Sequence, residues 1–207
     1  MIALLGGAKV SDKVKCIEKL LPLVDNILLG GAMAYPFLAS KGFQVGKSLC
    51  SKEDQALATI LLRQDKGQKI ILPLDHVGAT TPDAQASEII TTLDSNVPAN
   101  IAAFDIGLST IKLYESKLKL AHTIFWNGPM GFFEKPLFAQ GTKSLSLAMS
   151  EMQNSFRVVG GGDSVAAVQQ FHLADKFSHV SSGGGASLEY IEEGDLPGIK
   201  ALKFGVK

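Results

Sequence analysis

The chain has 207 residues, enough for one large domain or two small ones and for a substantial core. Its 20 Lys and Arg balance its 20 Asp and Glu, so no global field draws it to nucleic acid or an anionic membrane. Any anion must be held by local features. No apolar run approaches the ~20 residues that span a bilayer, so neither membrane nor nucleic acid is an expected partner. Cys16 and Cys50 form no CxxC, which argues against a disulfide framework or thiolate zinc site and for a cytoplasmic protein with reduced thiols.

In chain order, Ile2 to Leu5 is a compact apolar run that reads as a strand, since no basic n-region precedes it as in a signal peptide. Val10, Val14, Ile17, Leu21 and Val24 follow helical spacing, and Ile27 to Leu29 is a second strand-like run. Leu57, Ile60 and Leu61 mark another helix, followed by the run Ile70 to Leu72. Residues 77–100 are rich in Thr, Asp, Ala and Ser, and are expected to form an excursion, a small hairpin, between two sheet strands. The runs Ile101 to Phe104, Ile124 to Trp126 and Val158-Val159 follow, with Leu145, Ala148, Met149 and Met152 at helical spacing between the last two. Unbroken apolar runs of this length suit strands buried on both faces, as in a parallel sheet. Strand, helix, strand repeated several times predicts an α/β fold, a three-layer α/β/α Rossmann-like domain with a mostly parallel sheet and helices on both faces. Without a linker, repeat or low-complexity tract, residues 1–207 are expected to form a single domain.

Glycine is the compositional outlier, with 21 residues. Apolar runs lead into Gly6-Gly7, Gly30-Gly31, Gly160 to Gly162 and Gly183 to Gly185, each followed by a helix-like segment. Glycine lets backbone N–H groups approach a ligand closely, and a helix N-terminus offers unpaired donors and partial positive charge. In an open parallel sheet such turns share the carboxyl edge of the strands, where ligands bind. One such turn can be mere packing; together they predict a phosphate- or nucleotide-binding edge. The GxGxxG fingerprint is absent. Gly42 to Ser48 is one residue short of a P-loop and follows a helical segment, so it is read as an exposed turn.

Lys9 and Lys13 flank the first turn about one helical turn apart, where a lysine opposes the helix dipole by ~0.3–1 kcal/mol unless it faces an anion. Asp12 offers a bland offset. Asp163, after three glycines, reads first as an N-cap and alternatively as a Mg²⁺ ligand, since magnesium favours one or two carboxylates plus substrate phosphates. Asn127 to Gly131 form a further turn at the same edge, with Glu134 three residues on. The four histidines lack metal-ligand spacing, and no GxSxG elbow or Cys/His pair offers a covalent nucleophile.

Taken in order, these motifs resemble the carboxy-terminal half of the phosphoglycerate kinase family. The resemblance rests on Gly6 to Lys13, Gly30 to Ala34, Trp126 to Glu134, Gly160 to Ser164, His179 to Glu189 and Leu196 to Leu202, and spans essentially the whole chain. It implies that Lys13 contacts the transferred phosphate with Lys9 close by, and that Gly183, Gly184 and Gly185 donate N–H groups to the transferring phosphoryl, with Gly162 also in the catalytic set. Asp163 would hold the metal and Ser164 a phosphate, while Gly7, Ala8, Gly30, Gly31, Gly161 and Gly162 would line the nucleotide. Ala103 and Phe104 would line the adenine, Glu134 would bind the ribose hydroxyls, and Asn127, Pro129 and Gly131 would shape the cleft. The implied cofactors are Mg-ADP and Mg-ATP. Departures from the family pattern include Leu108 for a usual proline, Ser164 and Ser182 for frequent threonines, and Ala32 for a frequent glycine.

Family members are about twice this long, and their amino-terminal half binds 3-phosphoglycerate. Nothing here corresponds to it, so the expectation is a fragment or excised domain. It would be a monomer that binds nucleotide, meets 3-phosphoglycerate only through the missing half, and turns over little or nothing alone. The tail 203–207, which in the family crosses back to that half, is expected to be loose. The alternative is a non-catalytic nucleotide- or anion-binding module.

Overall fold

In the computed structural model, which describes residues 1–181, 183 and 185–204, two sheets organise the chain. The strands β1 (Ile2–Leu5), β2 (Asn26–Leu29), β3 (Ile70–Ile71), β7 (Thr123–Asn127), β8 (Phe156–Gly160) and β9 (His179–Ser181) form a six-stranded sheet in the order β3-β2-β1-β7-β8-β9. All of its pairings are parallel. The helices are α1 (Val14–Leu20), α2 (Ala34–Ser40), α3 (Lys52–Gln64), α4 (Leu108–Leu118), α5 (Gln140–Ser150), α6 (Gly162–Gln170), α7 (Ala186–Glu193) and α8 (Pro197–Phe204). None is long and apolar enough to cross a membrane among the described residues.

Side chains alternate across each strand, and here both faces are covered. Ile2 and Leu4 of β1, Leu28 of β2, and Ile124 and Trp126 of β7 share a core with Tyr114 of α4, Met149 of α5 and Val168 of α6. Their neighbours Ala3, Leu5, Ile27, Leu29 and Phe125 join a second core with Ile17 of α1, Phe37 of α2 and Leu61 of α3. Each large side chain so buried contributes about 1.5–3 kcal/mol. That is why these strands carry no polar alternation. The expected α/β/α layering, with a mostly parallel sheet and helices on both faces, is what the chain adopts.

Some local expectations are corrected. The run Ile101 to Phe104 does not extend the parallel sheet. It overlaps β6 (Ala102–Ile106), which pairs antiparallel with β4 (His76–Ala79), itself paired antiparallel with β5 (Ile90–Thr91). The excursion is thus a small hairpin completed by the run that follows it. Apolarity alone could not distinguish the two sheets, because β6 too is largely buried. The first helix starts at Val14 rather than at Val10, since residues 11–13 form a turn closed by Lys13 N–H to the Val10 carbonyl at 2.9 Å. Asp163 is not an N-cap: Gly161 occupies that position, and Asp163 sits inside the first turn of α6. The segment Gly42 to Ser48 is mostly exposed, but Ser48 is buried and its Oγ accepts the Ala103 N–H at 3.0 Å. Of the tail, α8 continues to Phe204, and residues 205–207 lie outside the described residues.

Asp75, just before β4, ties the small sheet to the start of α4. Its carboxylate oxygens accept the N–H of Ser109 and of Thr110, each at 2.8 Å, and the Thr110 hydroxyl at 2.6 Å. Asp75 therefore caps α4 from outside the helix, where the N-cap residue Gly107 has no side chain to do so. A Cβ at Gly107 would lie 2.4 Å from the Asp75 carboxyl carbon, so glycine is what lets the cap approach. Burial pushes the Asp75 carboxyl up, but the Thr110 and Ser109 donors outweigh it and hold the group below its ordinary value of 3.8. A depressed acid adds stability above its unfolded value that is lost as pH falls through the folded one. Asp75→Ala should cost about 1–3 kcal/mol at pH 7. In urea titrations the gap to wild type should narrow below about pH 4.

Candidate functional site

The strand order reverses direction once. From β1 the chain builds outward through β2 and β3, then returns to add β7, β8 and β9 on the other side of β1. The carboxyl ends of β1 and β7 therefore flank a topological switch point, where loops leave in opposite directions and open a crevice. The turn after β7 holds this edge together. Gly6 donates its N–H to the Asn127 carbonyl at 3.0 Å, Gly7 to that of Pro129 at 3.2 Å and Gly31 to that of Met130 at 2.9 Å. Gly128 donates in turn to the Ser164 hydroxyl of α6. A Cβ at Gly6 would fall 2.0 Å from the Pro129 oxygen, so a larger residue would part β1 from β7.

Around the crevice lies a cavity of about 250 Å³ lined by Gly7, Ala8, Lys9, Asp12, Lys13, Asn127, Gly128, Gly161, Gly162, Asp163, Ser164 and Leu188. Three turns, separate in sequence, thus bring two lysines and one helix N-terminus to one space. Lys9 is exposed. Lys13 is only 9% exposed and its ammonium group donates to Asn127 Oδ1. Lys13 is also the N-cap of α1, a position where a cation opposes the helix dipole, and no acidic residue stands in that helix's first turn. Burial pulls the Lys13 ammonium below the ordinary lysine value, opposed by Cys16, Asp12 and Asp163. This is a cation held at a cost. Asn127, 2% exposed, leaves its Nδ2 without a partner among the described residues, and a Cβ at Gly161 would lie 2.8 Å from that atom.

On the opposite wall the first turn of α6 presents Gly162, Asp163 and Ser164, with Gly161 at φ 91° turning the chain from β8 into the helix. A Cβ at Gly162 would meet nothing within 4 Å, so this backbone is open to an approaching group. Asp163 is exposed at the rim, whereas Ser164 is buried with its oxygen accepting from Gly128. No group of three or more potential metal-binding side chains occurs among the described residues. One carboxylate beside a phosphate-sized cavity fits magnesium that arrives with phosphates and keeps its own waters. Beyond the cavity lining, burial pushes the Cys16 thiol up to about 12, so it stays protonated at neutral pH.

The other expected site residues are not among those lining this cavity. Gly30 and Gly31 pack beneath the first turn, with Gly30 N–H on the Leu5 carbonyl at 2.9 Å and a Gly31 Cβ predicted to fall 2.7 Å from Gly7 N. Pro129 and Gly131 belong to the turn after β7, and Glu134 is exposed just beyond it. Ala103 and Phe104 lie on β6, where Phe104 packs on Phe138 at 4.9 Å between ring centroids and accepts the Phe132 N–H at 2.8 Å. Gly183 and Gly185 are exposed between β9 and α7; Gly184 lies outside the described residues. The sequence reading did not single out the Lys13–Asn127 contact. A positive residue and a polar one 114 positions apart carry no local signal.

A family model described as phosphoglycerate kinase matches residues 1–194. This chain belongs to the phosphoglycerate kinase family. It is 47% identical over 203 residues to phosphoglycerate kinase from Acidobacterium capsulatum, covering 97% of this chain and 50% of that protein. With the enzyme of Lactobacillus acidophilus the identity is 48% over 201 residues, with coverage of 97% and 49%. Among solved structures, phosphoglycerate kinase from Coxiella burnetii superposes with a TM-score of 0.89 at 38% identity, over 98% of this chain and 52% of that one. That from Pyrococcus horikoshii gives 0.79 at 30% identity, over 98% and 51%. The chain spans about half the length of the curated relatives it matches.

Against the family pattern, Leu108 is the first residue of α4 and exposed, a helix position that accepts proline and leucine alike, so the exchange leaves the turn intact. Gly128 tolerates no such exchange. Its φ is 95°, and a Cβ there would lie 2.2 Å from the Gly6 carbonyl oxygen. Gly128→Ala should destabilise the chain by about 2–4 kcal/mol through strain and the parting of β1 from β7. Chemical denaturation reads the loss directly, and Gly162→Ala, with open space at its Cβ, should fall within about 1 kcal/mol of wild type.

Proposed function

We propose that residues 1–207 form one domain, the nucleotide-binding half of a phosphoglycerate kinase, and that the cavity between β1, β7 and β8 takes the phosphates of Mg-ADP or Mg-ATP. The observation that carries the reading is the convergence of Lys9, Lys13 and the open first turn of α6 on one cavity of about 250 Å³. A buried ammonium group at a helix N-cap is unfavourable until an anion neutralises it, and a helix N-terminus supplies the matching donors. The complete reaction would be reversible phosphoryl transfer from 1,3-bisphosphoglycerate to ADP, giving 3-phosphoglycerate and ATP. Such transfer asks for positioning and charge stabilisation rather than a protein nucleophile.

In this reading Lys13 and Lys9 bind the terminal phosphate, and the N–H groups of Gly161 and Gly162 face the phosphate chain. The Ser164 hydroxyl, already accepting from Gly128, is free to donate its proton to a phosphate oxygen. Gly183, Gly184 and Gly185 would donate N–H groups to the transferring phosphoryl group. Asp163 holds magnesium, which when bound draws charge from the phosphate oxygens. Gly7 and Ala8 border the phosphates, while Ala103, Phe104, Pro129, Gly131 and Glu134 receive the base and ribose. The acyl phosphate and its carboxylate would be held by residues beyond this chain, which spans about half the length of its curated relatives.

Titration calorimetry should show binding of Mg-ADP at micromolar to millimolar concentration, with Lys13→Ala weakening it at least tenfold, about 1.4 kcal/mol or more. Kinase turnover by the chain alone should be negligible and should rise when a relative's separately produced amino-terminal half is added. Absence of nucleotide affinity at millimolar ligand defeats the proposal. Binding that survives Lys13→Ala, with no restored turnover, would instead identify a non-catalytic anion-binding module.

A further inference from the structure

Asp105 has no role in the chemistry above, yet it is only 1% exposed and sits on β6 directly after Ala103 and Phe104. Its Oδ1 accepts the Ile106 N–H at 2.9 Å, and its Oδ2 accepts the N–H of Gly141, in the first turn of α5, at 2.7 Å. The arm from Gly131 to Gly141 carries Glu134, and both of its end residues close on this one carboxyl. A Cβ at Gly131 would lie 2.2 Å from Oδ1, and one at Gly141 would lie 2.4 Å from it. Between these ends, Phe132 donates to the Phe104 carbonyl at 2.8 Å and Phe138 packs on the Phe104 ring. The arm's other tether, Lys135 to Asp83, is exposed and contributes little.

A buried carboxyl without a cation is costly, and Asp105 joins no salt bridge among the described residues. An apolar side chain would serve packing alone better. What an apolar side chain lacks is a pair of acceptors able to hold two backbone N–H groups from different elements. Burial pushes the carboxyl up to about 8 against the pull of those two donors, and its charge in turn adds to the upward shift of the buried Tyr35 hydroxyl on α2.

We propose that Asp105 is a positioning residue whose carboxyl pins the Gly131–Gly141 arm onto β6, and thereby builds the part of the site that holds the nucleoside end of the ligand. The proposal rests on the nucleotide reading above and divides the site in two. The phosphate cavity is assembled by the turns after β1, β7 and β8. The nucleoside side is assembled by one carboxyl.

Asp105→Asn isolates the pin. It keeps the size, but its NH2 cannot accept, so one of the two backbone donors is left unpaired. By calorimetry on the whole chain, the variant should bind Mg-ADP about tenfold more weakly while its affinity for inorganic tripolyphosphate stays within about twofold of wild type. A merely structural role would weaken both ligands together, and that outcome, or no change in either, overturns the proposal. Should the variant fail to fold, hydrogen exchange on the wild type decides. Mg-ADP should protect the amides of residues 131–133 more than tripolyphosphate does, and equal protection overturns the pin. Wild type that binds tripolyphosphate but holds Mg-ADP no tighter refutes the nucleoside side alone. Binding of neither ligand refutes the nucleotide reading itself.

Discussion

Gly128 makes two contacts that few residues could combine: its N–H bonds the Ser164 hydroxyl of α6, and its bare Cα lies against the Gly6 carbonyl of the β1 turn. Through this residue and its neighbours Asn127, Pro129 and Met130, the turn after β7 accepts hydrogen bonds from the turns after β1 and β2. Thr142 of α5 donates no backbone group here but accepts the Met130 N–H at 3.0 Å, and the Trp126 indole donates to the Gly128 carbonyl at 2.7 Å. The loop is therefore satisfied within the protein, and it fixes the separation of the strands that border the cavity. The walls of the cavity at β1, β7 and α6 inherit their separation from this stitch.

The stitch explains how Lys13 can occupy so unfavourable a place. An ammonium group at a helix N-cap, nearly buried, violates the local rule for helix starts and loses hydration as well. Asn127, held by β7, gives it one acceptor and leaves an amide hydrogen-bonding capacity unused at Nδ2. Asp105 is a comparable case on β6, an acid kept in a dry place by backbone donors from two elements. Sites where local preference is overruled tend to be functional, because stability elsewhere must sustain them. The two cores on either side of the parallel sheet supply that stability.

Much of the layering was legible before any coordinates. Unbroken runs such as Ile27 to Leu29 announce strands buried on both faces, and α3 begins with Ser51 accepting the Asp54 N–H at 3.0 Å, a capping pattern visible in the sequence. The run ending at Phe104 misled because burial on both sides does not specify the direction of the neighbouring strand. Helix α4 has no counterpart among the segments expected from spacing, and its cap is Asp75, 32 positions before the N-cap residue Gly107, out of reach of any local motif. Asp163 looked like a cap because a short acidic residue follows glycines; the second of those glycines is the N-cap and the third has already entered the helix, so the acid falls two places too late.

Composition, periodicity and the glycine turns determined the fold class and pointed to the sheet edge where Gly7, Lys9, Lys13 and Gly161 to Ser164 line one cavity. These are properties of short stretches, in which backbone sterics and alternation of side chains act within a few residues. Strand order was decided only in three dimensions. It follows from crossover packing that β7 returns beside β1, and that return alone sets Lys13 against Asn127 and Gly7 opposite Gly161. The small antiparallel sheet and the Asp105 carboxyl between two glycines belong to the same category. Their contacts join residues far apart in the chain, and only the packed fold makes them neighbours.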